Sequence, residues 1–183
     1  VVDLIKDNVN PCGNNPLDKE VVRILPTIQD MARQFRRNGG RVVFACDSFI
    51  EGDFIFKSRI SPHAIRGTLG DMPLDELDMQ TGDLYLPKRR MSAFYKTDLD
   101  QTLRTWGVDT VGVCGIVTNV CVLLTALDAV QNDFRAILVS DACACHSREL
   151  HETTVRTYEK LMLAPIFRVM SSAHLIEELV QNP

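Results

Sequence analysis

Six short runs of this chain, VVDLI (1–5), RVVFACD (41–47), DLYLP (83–87), DTVGVCG (109–115), RAILVS (135–140) and IFRVM (166–170), place apolar and β-branched residues at consecutive rather than alternate positions. Alternation marks a strand with one wet face, whereas an unbroken apolar run marks a strand covered on both faces. Strands of that kind belong inside a sheet sandwiched by other elements. The segments between them supply the cover. From Leu17 to Arg37, residues Val21, Val22, Leu25, Ile28, Met31, Ala32 and Phe35 fall near one face at helical spacing, and Gly39-Gly40 ends the run. Pro26 inside it predicts a kink or a late start. Helical patterns recur at Leu99 to Trp106, Asn119 to Asn132, Glu149 to Leu163 and Ala173 to Val180.

Strand-helix alternation of this sort predicts an α/β fold: a three-layer, Rossmann-like arrangement with a six-stranded, mainly parallel sheet and helices on both faces. With 183 residues, 45% of them apolar, the chain is sized for a single domain spanning 1–183. The 24 acidic residues outnumber the 20 basic ones, and no Lys/Arg stripe with interleaved aromatics occurs, so nucleic acid is not an expected partner. Six cysteines without a leader-like segment before them read as reduced thiols in a cytoplasmic protein. Val1 already lies inside an apolar run, which suggests that native residues precede it.

Ligands of open α/β sheets bind at the carboxyl ends of the strands. That geometry nominates Asp3, Asp47, the region of Lys88, Gly115 to Cys121, and Asp141. The long irregular stretch from Ser48 to Gly82 replaces the helix expected after the second strand and is a natural place for function.

The most informative stretch is GIVTNVCVLLTALDA, from Gly115 to Ala129. A membrane span needs about twenty apolar residues in one helix, and Gly115, Thr118 and Asn119 interrupt this one. It parses instead as a strand ending near Cys114-Gly115, a tight turn, and a helix opening at Asn119 or Val120 with Cys121 in its first turn. Unpaired N–H groups and the helix dipole there favour a thiolate and any neighbouring oxyanion. Each residue also has a plainer reading. Free cysteines are most often core, Asp3 is compatible with an ordinary strand-end aspartate, and Lys88 beside Arg89 and Arg90 with a solvated basic turn.

Four blocks taken in order change that balance. GIVTNVCV, VVDLIKDNV, KRRMSAFYKTDLDQTLR and SDACACH together resemble, over nearly the whole chain, the isochorismatase-like cysteine hydrolases, which include nicotinamidases and N-carbamoylsarcosine amidases. The resemblance implies a triad of Asp3, Lys88 and Cys121, an oxyanion hole from the backbone N–H groups of Val117 and Cys121, and a cis peptide between Ile116 and Val117. It also implies a small-molecule amide substrate and a homo-oligomer, dimer or tetramer. Charge assigns the roles: Lys88 depresses the thiol pKa and holds Asp3, Asp3 accepts the thiol proton and returns it to the leaving amine, and Cys121 attacks.

The chain departs from the nicotinamidases at their metal site, an Asp-x-His pair after the second strand plus a later histidine. In CDSFIEGDF and SPHAIRGTLG, Asp47 and His63 match but Phe49 takes the middle place. A metal site usually needs three protein ligands, so no cofactor is expected to be required; Asp47 and His63 read as a remnant, with Asp53 the nearby residue able to complete a divalent-metal site. This favours an amidase of the N-carbamoylsarcosine type acting on a carbamoyl or carboxamide compound. The alternatives are a nicotinamidase with an altered metal site and a non-catalytic relative with a reactive thiol. Isochorismatases proper lack the cysteine, so vinyl ether cleavage is disfavoured. Phe49, Arg66, Phe94 and Thr118 are the expected pocket residues, Arg66 for a substrate carboxylate. His146, His151 and His174 read as surface positions.

Overall fold

The computed structural model of the protein describes residues 1–181. Helix α1 spans Pro16–Arg37, opened by Asn15, whose side chain accepts the Asp18 N–H, and by Pro16, whose missing N–H costs nothing at a first position. It closes in a Schellman arrangement. Gly39, at φ +77°, lets its own N–H reach the Arg36 carbonyl and the Gly40 N–H reach that of Phe35. Pro26 lies within the helix, which runs through it. The buried stripe is Leu17, Val21, Ile24, Leu25, Ile28, Met31 and Ala32; Val22, expected inside, is one position off it and 46% exposed.

Strands β1 (Val43–Asp47) and β2 (Leu84–Lys88) pair in parallel, in a register that sets Asp47 opposite Lys88. Strands β3 (Thr110–Ile116), β4 (Arg135–Ala144) and β5 (Phe167–Met170) form a second parallel set in that order. The remaining helices are α2 (Leu99–Thr105), α3 (Leu123–Gln131), α4 (Arg148–Tyr158) and α5 (Ser172–Gln181). Helices α1 and α5 pack on each other and on β4, while α3 and α4 pack on β4 and β5. Ala136, Ile137, Leu138 and Val139 are consecutively buried, as a strand covered on both faces requires.

The expected six-stranded sheet is not what forms. Among the described residues five strands stand in two parallel sets, and VVDLI is not a strand but a seam between them. Val2 bridges Ala45 on one side and Gly115 on the other. Its N–H donates to Cys114 O (2.8 Å), its carbonyl accepts from Ile116 N (3.0 Å), and Asp3 N donates to Ala45 O (2.9 Å). The extended conformation stops at Asp3, whose φ of +56° turns the chain out of the sheet, so Leu4 and Ile5 pair with the long connection instead, Leu4 O accepting from Leu74 N (3.0 Å) and Ile5 bridging Pro73. Beyond β1 the long connection contains only two short 3₁₀ turns, Phe54–Lys57 and Asp75–Leu77. Among the described residues no helix is long and apolar enough to cross a membrane, and Gly115 to Ala129 is divided between strand, turn and helix.

Gly115 combines a φ of +115° with a position where a Cβ would run into the Val2 carbonyl oxygen. Gly115→Ala is expected to cost more than about 2 kcal/mol, because neither the backbone nor the seam has room to yield. Thermal and urea denaturation check it.

Candidate active site

Three chain segments deliver one side chain each to the carboxyl end of the seam. Asp3 comes from the seam itself, Lys88 from the last residue of β2, and Cys121 from the turn after β3. The positive φ of Asp3 aims its carboxylate across the strand ends, where Oδ2 accepts from Lys88 Nζ at 2.9 Å and Oδ1 accepts the Asp47 N–H at 2.8 Å. Lys88 Nζ also donates to Asp47 Oδ1 at 2.6 Å. The ammonium is wholly buried and the Asp3 carboxylate 2% exposed. An ion this deep is tolerable only when paired and hydrogen-bonded, and two carboxylates share the task here. A carboxylate oxygen of Asp3, one of Asp47 and the sulfur of Cys121 all lie within 4.8 Å of one another.

Cys121 belongs to a π-helical turn, Thr118–Val122, that precedes α3. The Val122 N–H reaches back to the Val117 carbonyl, and the peptide between Ile116 and Val117 is cis. The expected helix start near Asn119 is therefore present with a wider turn, of the kind often found at functional sites.

Titration behaviour departs from the sequence expectation in one respect. Burial and the neighbouring Asp3 charge push the Cys121 thiol well above its ordinary pKa, and Lys88, which pulls the other way, is outweighed. Lys88 is spent on Asp3 and Asp47: burial disfavours its charge, but the two carboxylates together raise its pKa. Burial also lifts Asp3, against the pull of Lys88 and with the help of Asp47, to about 6. The resting arrangement near neutrality is a protonated thiol facing an ionised carboxylate.

At the place of the nicotinamidase-like metal site, Phe49 is buried, with its ring 5.4 Å from those of Phe56 and His63, so the histidine ring packs in an aromatic cluster. Asp47 is engaged by Lys88. Asp53, the nearby residue able to complete such a site, is engaged by Arg89 (2.7 Å) and Arg90 (3.0 Å). Among the described residues the converging metal-capable group is Asp3, Asp47 and Cys121, and a cation there would compete with the Lys88 ammonium already bonded to both carboxylates.

The pocket expectations divide. Phe49 stands two residues beyond Asp47 and can form a wall. Arg66 is exposed, with Nε on Ser48 Oγ (3.1 Å) and Nη2 on Ser48 O (3.3 Å). Phe94 points elsewhere, stacking on Phe134 at 5.8 Å beside the amino-terminal end of β4. Thr118 is fully buried and its hydroxyl is committed to Ala144 O (3.0 Å) and His151 Nδ1 (2.9 Å), which makes it scaffold rather than pocket. His151 is accordingly not a surface residue, whereas His146 and His174 are exposed. The sequence reading also missed the network in which buried Asp71 accepts from Ser48 Oγ (2.9 Å) and Tyr85 OH (3.0 Å), tying the long loop to the residue after Asp47. Asp141, a geometric suspect, caps α5 through the Ser172 N–H and hydroxyl, both at 2.7 Å.

Lys88→Met leaves two facing carboxylates without a counter-ion. A stability loss of about 3–5 kcal/mol is expected in urea denaturation at pH 7, shrinking toward acid as the carboxylates protonate.

An isochorismatase domain model matches residues 1–171. The uncharacterized isochorismatase family protein YwoC of Bacillus subtilis is 35% identical over 162 residues, 85% of this chain and 82% of that one. An isochorismatase-like hydrolase from Alkaliphilus metalliredigens superposes with a TM-score of 0.84 at 31% identity, covering 97% of this chain and 96% of that one. N-carbamoylsarcosine amidase from Thermoplasma acidophilum gives 0.77 at 29% identity, covering 93% of each. With the fold, the strand-end cluster and these matches in agreement, the chain belongs to the isochorismatase-domain family of hydrolases.

Proposed function

We propose that this protein is a cysteine-dependent amidohydrolase that releases ammonia from a small carbamoyl or carboxamide compound, with an N-carbamoylsarcosine-like compound as the leading substrate. The observation that carries the reading is the approach of the Cys121 sulfur to the Asp3 carboxylate, within 4.8 Å, while Lys88 holds that carboxylate at 2.9 Å. The amidase named among its structural relatives, that of Thermoplasma acidophilum, supports the reaction class. The aromatic cluster of Phe49, Phe56 and His63 supports a reaction that does not depend on a nicotinamidase-type metal.

The chemistry follows from the charges. With the thiol pKa raised, a free thiolate is scarce, so the proton moves to Asp3 as Cys121 Sγ bonds to the amide carbon. Lys88 keeps Asp3 fixed and compensates its charge. The tetrahedral oxyanion is taken by the Val117 and Cys121 N–H groups of the π turn, each such donor being worth roughly 3 kcal/mol of barrier. The C–N bond breaks as Asp3 returns the proton to the departing nitrogen. Ammonia leaves and Cys121 stays acylated, as a thioester from a carboxamide or a thiocarbamate from a carbamoyl compound. A water deprotonated by Asp3 attacks that carbonyl carbon, the carboxylic or carbamic acid departs, and the sulfur regains the proton from Asp3.

The test is ammonia release from N-carbamoylsarcosine, nicotinamide and simple amides, with Cys121→Ala as the blank. Cys121-dependent release from the carbamoyl compound, and not from nicotinamide, is the expected result; release from nicotinamide sinks the preference for a metal-independent substrate. Because Asp3 must be ionised to act as base and its pKa is raised to about 6, kcat/KM should climb as pH rises through about 6 and level off above it. Asp3→Asn should remove both the activity and the limb.

A further inference from the structure

The turn that carries Cys121 is pinned from outside by groups that the mechanism does not use. Thr118, its first residue, has its hydroxyl oxygen 3.0 Å from the Ala144 carbonyl and 2.9 Å from His151 Nδ1. Asn119, its second, accepts from the Cys145 thiol at 3.1 Å. The turn's two leading side chains are thus tied to the end of β4 and the start of α4. A threonine hydroxyl has one hydrogen, and a carbonyl can only accept. The Thr118 hydrogen therefore goes to Ala144, and His151 must donate its Nδ1–H to Thr118. This fixes the imidazole tautomer without reference to its charge.

His151 is well placed for a permanent role. It is half-buried on the first turn of α4, where its own N–H is bonded to the Ser147 carbonyl at 3.1 Å. Burial, aided by Arg23, lowers its pKa, so the neutral Nδ1–H form prevails near pH 7. Arg23, Arg148, Glu20 and Glu152 are the charged groups around it. Neither Thr118 nor His151 touches the Asp3–Lys88–Asp47 cluster through any hydrogen bond described above, so the pair governs where the turn stands rather than the charge of the base.

We infer that His151 is a positioning residue: through Thr118 it holds the π turn so that the Val117 and Cys121 N–H groups converge on the oxyanion. This rests on the amidohydrolase reading of the site. The consequence is selective. Loosening the turn degrades stabilisation of the tetrahedral intermediate, but leaves the thiol as accessible to a reagent that needs no oxyanion hole.

The experiment uses p-nitrophenyl acetate, an activated ester whose acyl group passes to the Cys121 sulfur as p-nitrophenolate leaves and is then hydrolysed from the thioester. His151→Leu should lower kcat by about 10- to 100-fold, as expected for a misplacement on the ångström scale. KM and the rate of Cys121 alkylation by iodoacetamide should change by less than about threefold, since neither draws on the oxyanion donors. His151→Asn, which keeps a donor near the Nδ1 position, should recover most of the loss. Thr118→Val should match His151→Leu, and the double variant should be no worse than either, because the pair acts as one unit. If His151→Leu fails to fold, Thr118→Val with its melting curve carries the test.

Parent-like kcat in His151→Leu overturns the proposal, as does an equal loss in His151→Asn or a parallel fall in alkylation. A Cys121→Ala protein that still turns over the ester at the parent rate counts instead against the nucleophile reading, which separates the two failures.

Discussion

The Lys88 ammonium, buried between Asp3 and Asp47, is the constraint around which this molecule is arranged. A cation at zero exposure is intolerable alone, and the Asp3 carboxylate, at 2% exposure, is costly without it, Asp47 less so at 13%. Satisfying all three requires the seam, the end of β1 and the end of β2 to finish at the same height, which the register of Asp47 opposite Lys88 secures. The order of the strand ends is therefore enforced by charge as well as by the backbone ladder. The carboxylate that Lys88 holds also faces Cys121, so the same ion cluster orders the strand ends and places the proposed base.

Burial decides where the protons of Asp3 and Cys121 rest. A surface lysine beside a cysteine would produce a thiolate. Here the same desolvation that lifts Asp3 to about 6 lifts the thiol further, and the lysine's charge is already committed. In the proposed reaction the proton would therefore pass from Cys121 to Asp3 during attack rather than before it.

Much of this was legible in the residues. Unbroken apolar runs gave the buried strands, and strand ends gave the cluster of Asp3, Lys88 and Cys121. The failures have physical causes. VVDLI has strand composition, but the positive φ of Asp3 ends the extended chain after three residues, a turn that composition does not encode. Val22 is a single step in helical phase past buried Val21, enough to carry it off the stripe. Asp47 as a partner of Lys88 depends on register between segments far apart in sequence, and His151 as a partner of Thr118 on how α4 docks. The π turn adds one residue to a loop that apolar periodicity cannot tell from an ordinary helical one. Phe94 pointed away because orientation around the block following β2 follows from packing on Phe134.

The seam has one more implication, for the order in which the molecule is made. Val1 to Asp3 occupy the middle of the strand array, yet both neighbours come later along the chain: Ala45 first and Gly115 last. A polypeptide emerging amino end first presents its central piece long before either flank exists to receive it. Such distant pairing carries a loop-closure cost and favours late, concerted completion. Asp3 is thus made before both of its flanks and enclosed only after them, so the cluster of Asp3, Lys88 and Cys121 is incomplete until β3 and the turn behind it have been added.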